Sequence, residues 1–373
     1  MKKFSDIKVV IYNDDCLGYT IGQRIVNSSK KLGKEIITYR DETELGIILE
    51  DAKTKFLSKE VLILKIFLGR KFQKCPGSNN VICCNYYLLN TCFNCLYDCT
   101  YCFLNSYLNS YGIVQFVNLD ELAELVNTFS QSHKNLLRVG TGEFTDSLMF
   151  DEVTGIAEQL ISDTCNNNRL FLEFKTKSAN VDHLLQIKEK GNTVLAWTLN
   201  TERNISLYET GAASLIERLE AASKAQNAGY LTAFHFDPVI KYKNFMDDYY
   251  KTIEMMRKYI NPEGVIWISL GCFRYSPGFK DIIKHKYPAE LMTVEEMFPG
   301  VDGKLRYITK ERIEIFKNFS DKLKSYYPET FIYLCMEDSY VWKEVFGADY
   351  SESEELERDL SEHLKNYINK PLW

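Results

Sequence analysis

Along the chain, short apolar runs alternate with longer stretches whose apolar positions recur every three or four residues. A strand-like period that repeatedly gives way to a helical one is the signature of an α/β protein. KVVIY (8–12) is strand-like, YTIGQRIVNSSKKLG (19–33) is an amphipathic helix closed by Gly33, and EIITY (35–39) is strand-like. LGIILEDAKTKFL (45–57) is helical and EVLILKIF (60–67) reads as a buried strand. These segments predict a small N-terminal α/β domain over residues 1–78. Its last stretch, GRKFQKCPGSNN (69–80), is basic, carries Pro-Gly and Asn-Asn, and reads as a linker.

From residue 79 the rhythm becomes regular. Strand-like NVICCNYYLL (80–89) leads into a cysteine-rich loop, and Asn118 with Glu121 forms a capping box before the helix LDELAELVNTF. Strand NLLRV (135–139) precedes helix DEVTGIAEQLI (151–161), and RLFLEFKT (169–176) precedes helix ANVDHLLQIKEKG (179–191). TVLAWTLN (193–200), YLTAFHFDP (230–238) and GVIWISLG (264–271) complete six strand–helix steps. A further strand, ETFIYLCME (329–337), and an acidic helical tail expected to be a solvated face (346–373) follow. Six such steps predict a parallel sheet curled into a partial (β/α)6 barrel over residues 79–345. In that architecture the chemistry sits at the C-terminal strand ends. The polar clusters fall there: the cysteine loop, Gly140–Thr145, Lys175 and Lys177, Thr198 and Asn200, His235 and Asp237, Cys272 and Arg274.

Composition narrows the function. The chain has 373 residues and a formal net charge of -6, so no global positive field draws in nucleic acid. Any such contact needs a local basic groove, for which Arg274, Lys280, Lys284, Lys286, Lys304 and Arg306 are the candidates. No apolar run is long enough to span a membrane, and MKKFSDIKVVIYNDD lacks the apolar core of a signal peptide. A cytoplasmic protein is expected, in which clustered thiols are metal ligands or catalytic groups rather than disulfides. Eleven cysteines, an odd number, also cannot all pair.

Four of them crowd the loop TCFNCLYDCTYCFL (91–104): Cys92, Cys95, Cys99 and Cys102. Cys95-x3-Cys99-x2-Cys102 offers three thiolates, which on a four-iron cluster leave one iron open. Two CxxC pairs three residues apart leave a structural zinc open as an alternative.

With Tyr101 before the last cysteine, the loop resembles that of the radical S-adenosylmethionine (SAM) superfamily. VVIYNDDCLGYTIGQRI, CTYCFLNSYLNSYGIVQFVNLDEL, KTKSANVDHLL, IERLEAASKAQNAGY, FRYSPGFKDIIKHKYP and GKLRY together resemble the spore photoproduct lyase family over nearly the whole chain. The resemblance implies a [4Fe-4S] cluster on Cys95, Cys99 and Cys102, with Cys92 left out. It implies SAM cleaved by one electron to a 5'-deoxyadenosyl radical, and an electron donor such as flavodoxin or ferredoxin. Gly140, Thr141, Gly142 and Glu143 would meet the amino end of SAM. Thr145, Thr198 and Asn200 would add contacts, Lys177 would pair with its carboxylate, and Tyr101 would lie near the adenine. The family's hydrogen-donating cysteine falls on Phe144, which has no labile hydrogen, and its second tyrosine on Phe103. Cys335 is the expected substitute donor over Cys272. Three readings follow: a radical SAM enzyme on an unidentified substrate, a thymine-dimer lyase with a relocated donor, or a non-catalytic iron–sulfur or zinc protein.

Overall fold

The computed structural model describes residues 1–108 and 110–368. Two sheets organise it. The N-terminal sheet has the strand order Glu35–Thr38, Val9–Tyr12, Val61–Lys65, Ile113–Phe116, Cys92–Phe93. The first four strands are parallel and Cys92–Phe93 closes the edge antiparallel. Val9, Val10, Ile11, Leu62 and Leu64 are buried, as expected of parallel strands covered on both faces. Two of the five strands come from beyond residue 78, and they bracket the cysteine loop. The loop is thus anchored at both ends by this sheet.

The larger sheet has eight strands in the order Phe331–Leu334, Val265–Cys272, Leu231–Val239, Thr193–Thr198, Leu170–Thr176, Leu137–Gly140, Tyr87–Leu89, Phe72–Lys74. The first seven run parallel, so the six expected strands lie side by side and Phe331–Leu334 adds a seventh. The eighth, Phe72–Lys74, is antiparallel and lies inside the segment expected to be a linker. Trp197, Trp267, Tyr230 and Tyr249 are fully buried in the core. Each such large side chain contributes about 2–3 kcal/mol of burial.

Several local expectations change. Only Tyr87–Leu89 of the run 80–89 is a strand; residues before it form a loop. Asn118 does not cap a helix. Its amide accepts from Phe67 N at 2.8 Å and donates to Phe67 O at 3.0 Å, and the helix starts at Leu122. The helix expected over 151–161 breaks at Gly155, whose φ of 69° puts the chain in the left-handed region. No helix forms over 179–191. The spacing of Val181, Leu184 and Ile187 is met by successive turns, with Leu184 N on Val181 O and Ile187 N on Leu184 O. The acidic tail is helical over Ser353–Leu364, but it buries Leu356, Leu360 and Leu364 against the main core rather than standing free.

Candidate active site

Cys95, Cys99 and Cys102 are free thiols on one tight loop. Backbone pairing fixes that loop: Cys99 and Asp98 bridge antiparallel to Glu209 and Thr210, and Thr100 N donates to Tyr208 O at 2.8 Å. Asn105 Nδ2 donates to Cys99 O at 3.1 Å, and Lys286 pairs with Asp98 at 3.0 Å. Burial is the main force on the thiols. It pushes Cys95 up to about 12 and Cys99 well above its usual value, and it raises Cys102 despite the Leu104 N–H. Such desolvated sulfurs carry negative charge stably only when a metal shares it. Lys59 and Lys177 supply positive charge nearby, which suits an anionic cluster. Among the described residues, no three His, Cys, Asp or Glu side chains stand close enough to hold a single ion. Cys92 lies apart. It is in the edge strand, with its sulfur turned to the Phe93 and Asn94 carbonyls at 3.7 and 3.8 Å.

A buried network that sequence reasoning missed stands behind the loop. Tyr101 Oη donates to Glu209 Oε1 at 2.5 Å, and Arg218 pairs with the other oxygen of the same carboxylate. Arg218 also donates to Ala213 O at 3.0 Å and Thr198 O at 2.9 Å. Burial would raise Glu209, but Arg218 and Lys177 hold its carboxyl below the usual range. The signal was present: Arg218 occupies the buried phase of its helix beside Leu215, Leu219 and Ala222. The Lys177 ammonium stands 5.7 Å from the Tyr101 ring centroid and joins no ion pair among the described residues.

The strand-end residues divide into two kinds. Gly140 and Gly142 are small because space demands it. A Cβ at Gly140 would lie 1.4 Å from the Tyr86 hydroxyl, and one at Gly142 would meet Lys175 O at 2.8 Å and Ser147 Oγ at 2.9 Å. Thr141 donates to Ser147 Oγ at 2.8 Å, while Thr145 is buried against Met149 and the Cys92 thiol. Asp146, also missed, accepts from Thr176 Oγ1 and Lys177 N at 2.6 Å each, tying two strand ends together. Thr198 is buried, with its carbonyl on Arg218. Asn200 is fully used by the fold. Its Oδ1 accepts from Tyr249, Asn204 and Thr201, and its Nδ2 donates to Pro238 O.

Across the mouth, Glu143 and Asp237 both act on half-buried Lys175. Arg274 pairs with Asp237 at 3.0 Å and donates to Cys335 Sγ at 3.4 Å. The Asp237 carboxylate faces the same sulfur, so Cys335 is held within an ion-pair network. His235 is a packed core histidine. Its Nε2–H donates to Glu173 at 2.7 Å and its Nδ1 accepts from Ser269 at 2.6 Å, which agrees with burial lowering its basicity. Cys272 is buried at the end of its strand. Phe144 belongs to an aromatic shelf, stacked on Tyr107 (5.8 Å) and edge-on to Phe103 (6.2 Å) and Phe93 (5.5 Å).

Comparison with known proteins agrees with this geometry. The family model described as spore photoproduct lyase matches residues 6–335. The spore photoproduct lyase of a Geobacillus species is 24% identical over 336 residues, covering 86% of this chain and 96% of its own. That of Clostridium acetobutylicum is 27% identical over 251 residues, covering 64% of this chain and 70% of its own. A solved spore photoproduct lyase variant with bound AdoMet and dinucleoside spore photoproduct superimposes with a TM-score of 0.73 at 21% identity. The match covers 88% of this chain and 98% of that one. A second lyase structure, complexed with dinucleoside spore photoproduct, gives a TM-score of 0.74 at 22% identity with the same coverage. Fold and family define an enzyme of the radical SAM class, whose cofactors are a [4Fe-4S] cluster and SAM. Within that class, the chain belongs to the spore photoproduct lyase family. Among its described residues, no helix is long and apolar enough to cross a membrane.

Proposed function

We propose that this chain is a radical SAM lyase that acts on a thymine photodimer of the spore photoproduct type, with Cys95, Cys99 and Cys102 as cluster ligands. The observation that carries the reading is the buried thiol triplet set beside Lys177, a cation that joins no ion pair among the described residues. When bound, cluster and SAM supply a 5'-deoxyadenosyl radical on receipt of one electron, for which a reduced flavodoxin or ferredoxin is the fitting donor. Lys177 would bind the SAM carboxylate, and Tyr101, held by Glu209, would lie near the adenine. The backbone edge at Gly140–Glu143 takes the amino end, where the glycines allow close approach. Burial of the thiols and the strand ends excludes water from the reacting centre.

Two features support a nucleobase substrate. Phe103 and Tyr107 are exposed, at 42% and 63%, and form with Phe144 a shelf on which a base can stack. Lys304 is a half-buried cation near Arg274 and Arg306 whose ammonium meets Met336 Sδ at 3.6 Å and, among the described residues, forms no ion pair. Burial and those two arginines lower its basicity, and a phosphate would relieve the repulsion. The test is anaerobic. Reconstituted, reduced protein is incubated with SAM and dinucleoside spore photoproduct, and the thymidine dinucleoside product is measured. Conversion that is lost in Cys99→Ala is expected. SAM cleavage without any conversion would move the chain to a different substrate.

A further inference from the structure

The N-terminal sheet lies outside the barrel, yet it brings one cation to the ligand loop. Lys59 sits in the tight turn Ser58–Glu60, just before the buried strand Val61–Lys65. The turn is fixed in place. Leu57 N donates to Glu60 Oε2 at 2.9 Å, and Gly112 N donates to Ser58 Oγ at 3.1 Å. The carbonyl of the same Gly112 accepts from Asn94 Nδ2 at 2.8 Å, so one residue holds the turn and the ligand loop in register. Asn94 takes a left-handed backbone, φ 70°, a conformation that asparagine tolerates. Its Oδ1 accepts from Lys59 Nζ at 2.5 Å and from Cys95 N at 2.9 Å. A single oxygen therefore separates the ammonium from the backbone of a proposed cluster ligand. The cations around this loop are not equivalent. Lys286 is neutralised by Asp98 at 3.0 Å, and Lys177 is committed to the SAM carboxylate in the reading above. Lys59 is half-buried and joins no ion pair among the described residues. Its charge acts on Cys92, Cys95 and Cys102 alike.

We propose that Lys59, held against Asn94, raises the reduction potential of the cluster, a role that rests on the radical reading above. A cluster on three thiolates gains one negative charge when it takes an electron, with no proton to offset it. A fixed cation attracts the reduced form more strongly than the oxidised one. The potential rises accordingly, and the dry surroundings of the loop strengthen the effect. Cleavage of a sulfonium calls for a low potential, but a cluster too low could not accept the electron at all. Lys59 keeps it within reach of a ferredoxin- or flavodoxin-type donor. The N-terminal sheet thereby acts on the chemistry through charge, without touching SAM or substrate.

The test needs neither substrate nor SAM. Reconstituted protein is titrated anaerobically with dithionite, and the reduced cluster is read by electron paramagnetic resonance. Wild type is compared with Lys59→Met, which keeps the stem without the charge, Lys59→Gln, whose amide can still donate to Asn94, and Lys59→Arg. Both neutral variants are expected to bind iron as wild type does and to shift the midpoint to more negative potential. At one fixed dithionite poise, their reduced fraction should fall several-fold. Lys59→Arg is expected to titrate with wild type. An unchanged midpoint in both neutral variants overturns the assignment. So does loss of the cluster from Lys59→Gln, which would make Lys59 an anchor of the loop and no more. A midpoint displaced equally in Lys59→Arg overturns it as well, because the charge is kept there. A wild-type protein that takes up no cluster instead overturns the radical reading itself, and the proposal with it.

Discussion

The two cysteine-bearing loops at the barrel mouth are held in opposite ways. The ligand loop, Cys95–Cys102, is clamped at its base by a buried ion pair, Glu209 with Arg218, and by a two-residue bridge to Glu209 and Thr210. The thiol loop, Cys75–Tyr86, has no buried ion pair of its own among the described residues. It is tied by single hydrogen bonds to Glu337 and Ser353, more than two hundred positions away. A cluster that must keep its geometry through electron transfer needs the first kind of support. The second kind of support, whose bonds are each worth only about 1 kcal/mol, holds a loop more loosely.

The strongest way to break the contrast is at Arg218. Arg218→Leu strands the Glu209 carboxylate in a dry site and should cost about 3–5 kcal/mol by thermal or denaturant unfolding. Cluster retention should fall with it, because Glu209 also carries Tyr101 and pairs with Cys99. A loss of under about 1 kcal/mol would mean that the clamp is dispensable. Next in size is Gly140→Ala. The new methyl would collide with the Tyr86 hydroxyl, which ends the thiol loop, at an expected cost of about 1–3 kcal/mol. Adding Tyr86→Phe should recover part of that loss, and no recovery would place the clash elsewhere.

The pH profile tests the floor shared by both loops. Burial alone would raise Glu173, but His235, Arg138 and Lys175 hold it down to about 2, while burial lowers His235. A depressed carboxyl stabilises the fold fully above its unfolded value of about 4.3, and this is lost as pH falls through the folded value. A depressed histidine begins to cost stability once pH drops below about 6.5, where the unfolded ring protonates first. The melting temperature should therefore fall continuously from about pH 6.5 downward, and Glu173→Gln should flatten the steep acid part. The smallest effect belongs to Cys92→Ala. Its thiol meets two backbone carbonyls and the neutral Thr145, so stability should change by about 1 kcal/mol or less and the cluster should remain.

The contrast between the loops also explains what the amino-acid sequence made legible. Parallel strands buried on both faces are plain apolar runs, so Leu170–Thr176, Thr193–Thr198 and Val265–Cys272 stand out. The ligand loop stands out because its chemistry is local, three thiols within eight positions. The thiol loop resembled a linker, because Cys75, Cys83 and Cys84 gain their meaning from Glu143, Phe144 and Glu337, which only the fold brings near. Glu209 was invisible for the same reason. The helix expected over 179–191 failed differently. Its three-residue apolar spacing fits consecutive turns as well as it fits a helix, and periodicity cannot separate the two over so short a span. Placement at strand ends alone did not distinguish Lys177, which joins no ion pair among the described residues, from Asn200, whose amide the fold consumes.

The proposed chemistry rests on three thiolates that would hold a cluster with one iron open to SAM. The direct measurement is the electron paramagnetic resonance spectrum of the reconstituted, reduced protein with and without SAM. A reduced-cluster signal that changes when SAM is added is expected. It should disappear in Cys95→Ala, Cys99→Ala and Cys102→Ala and persist in Cys92→Ala. A signal indifferent to SAM, or one lost with Cys92 and kept without one of the other three, would contradict the ligand assignment and the chemistry built on it.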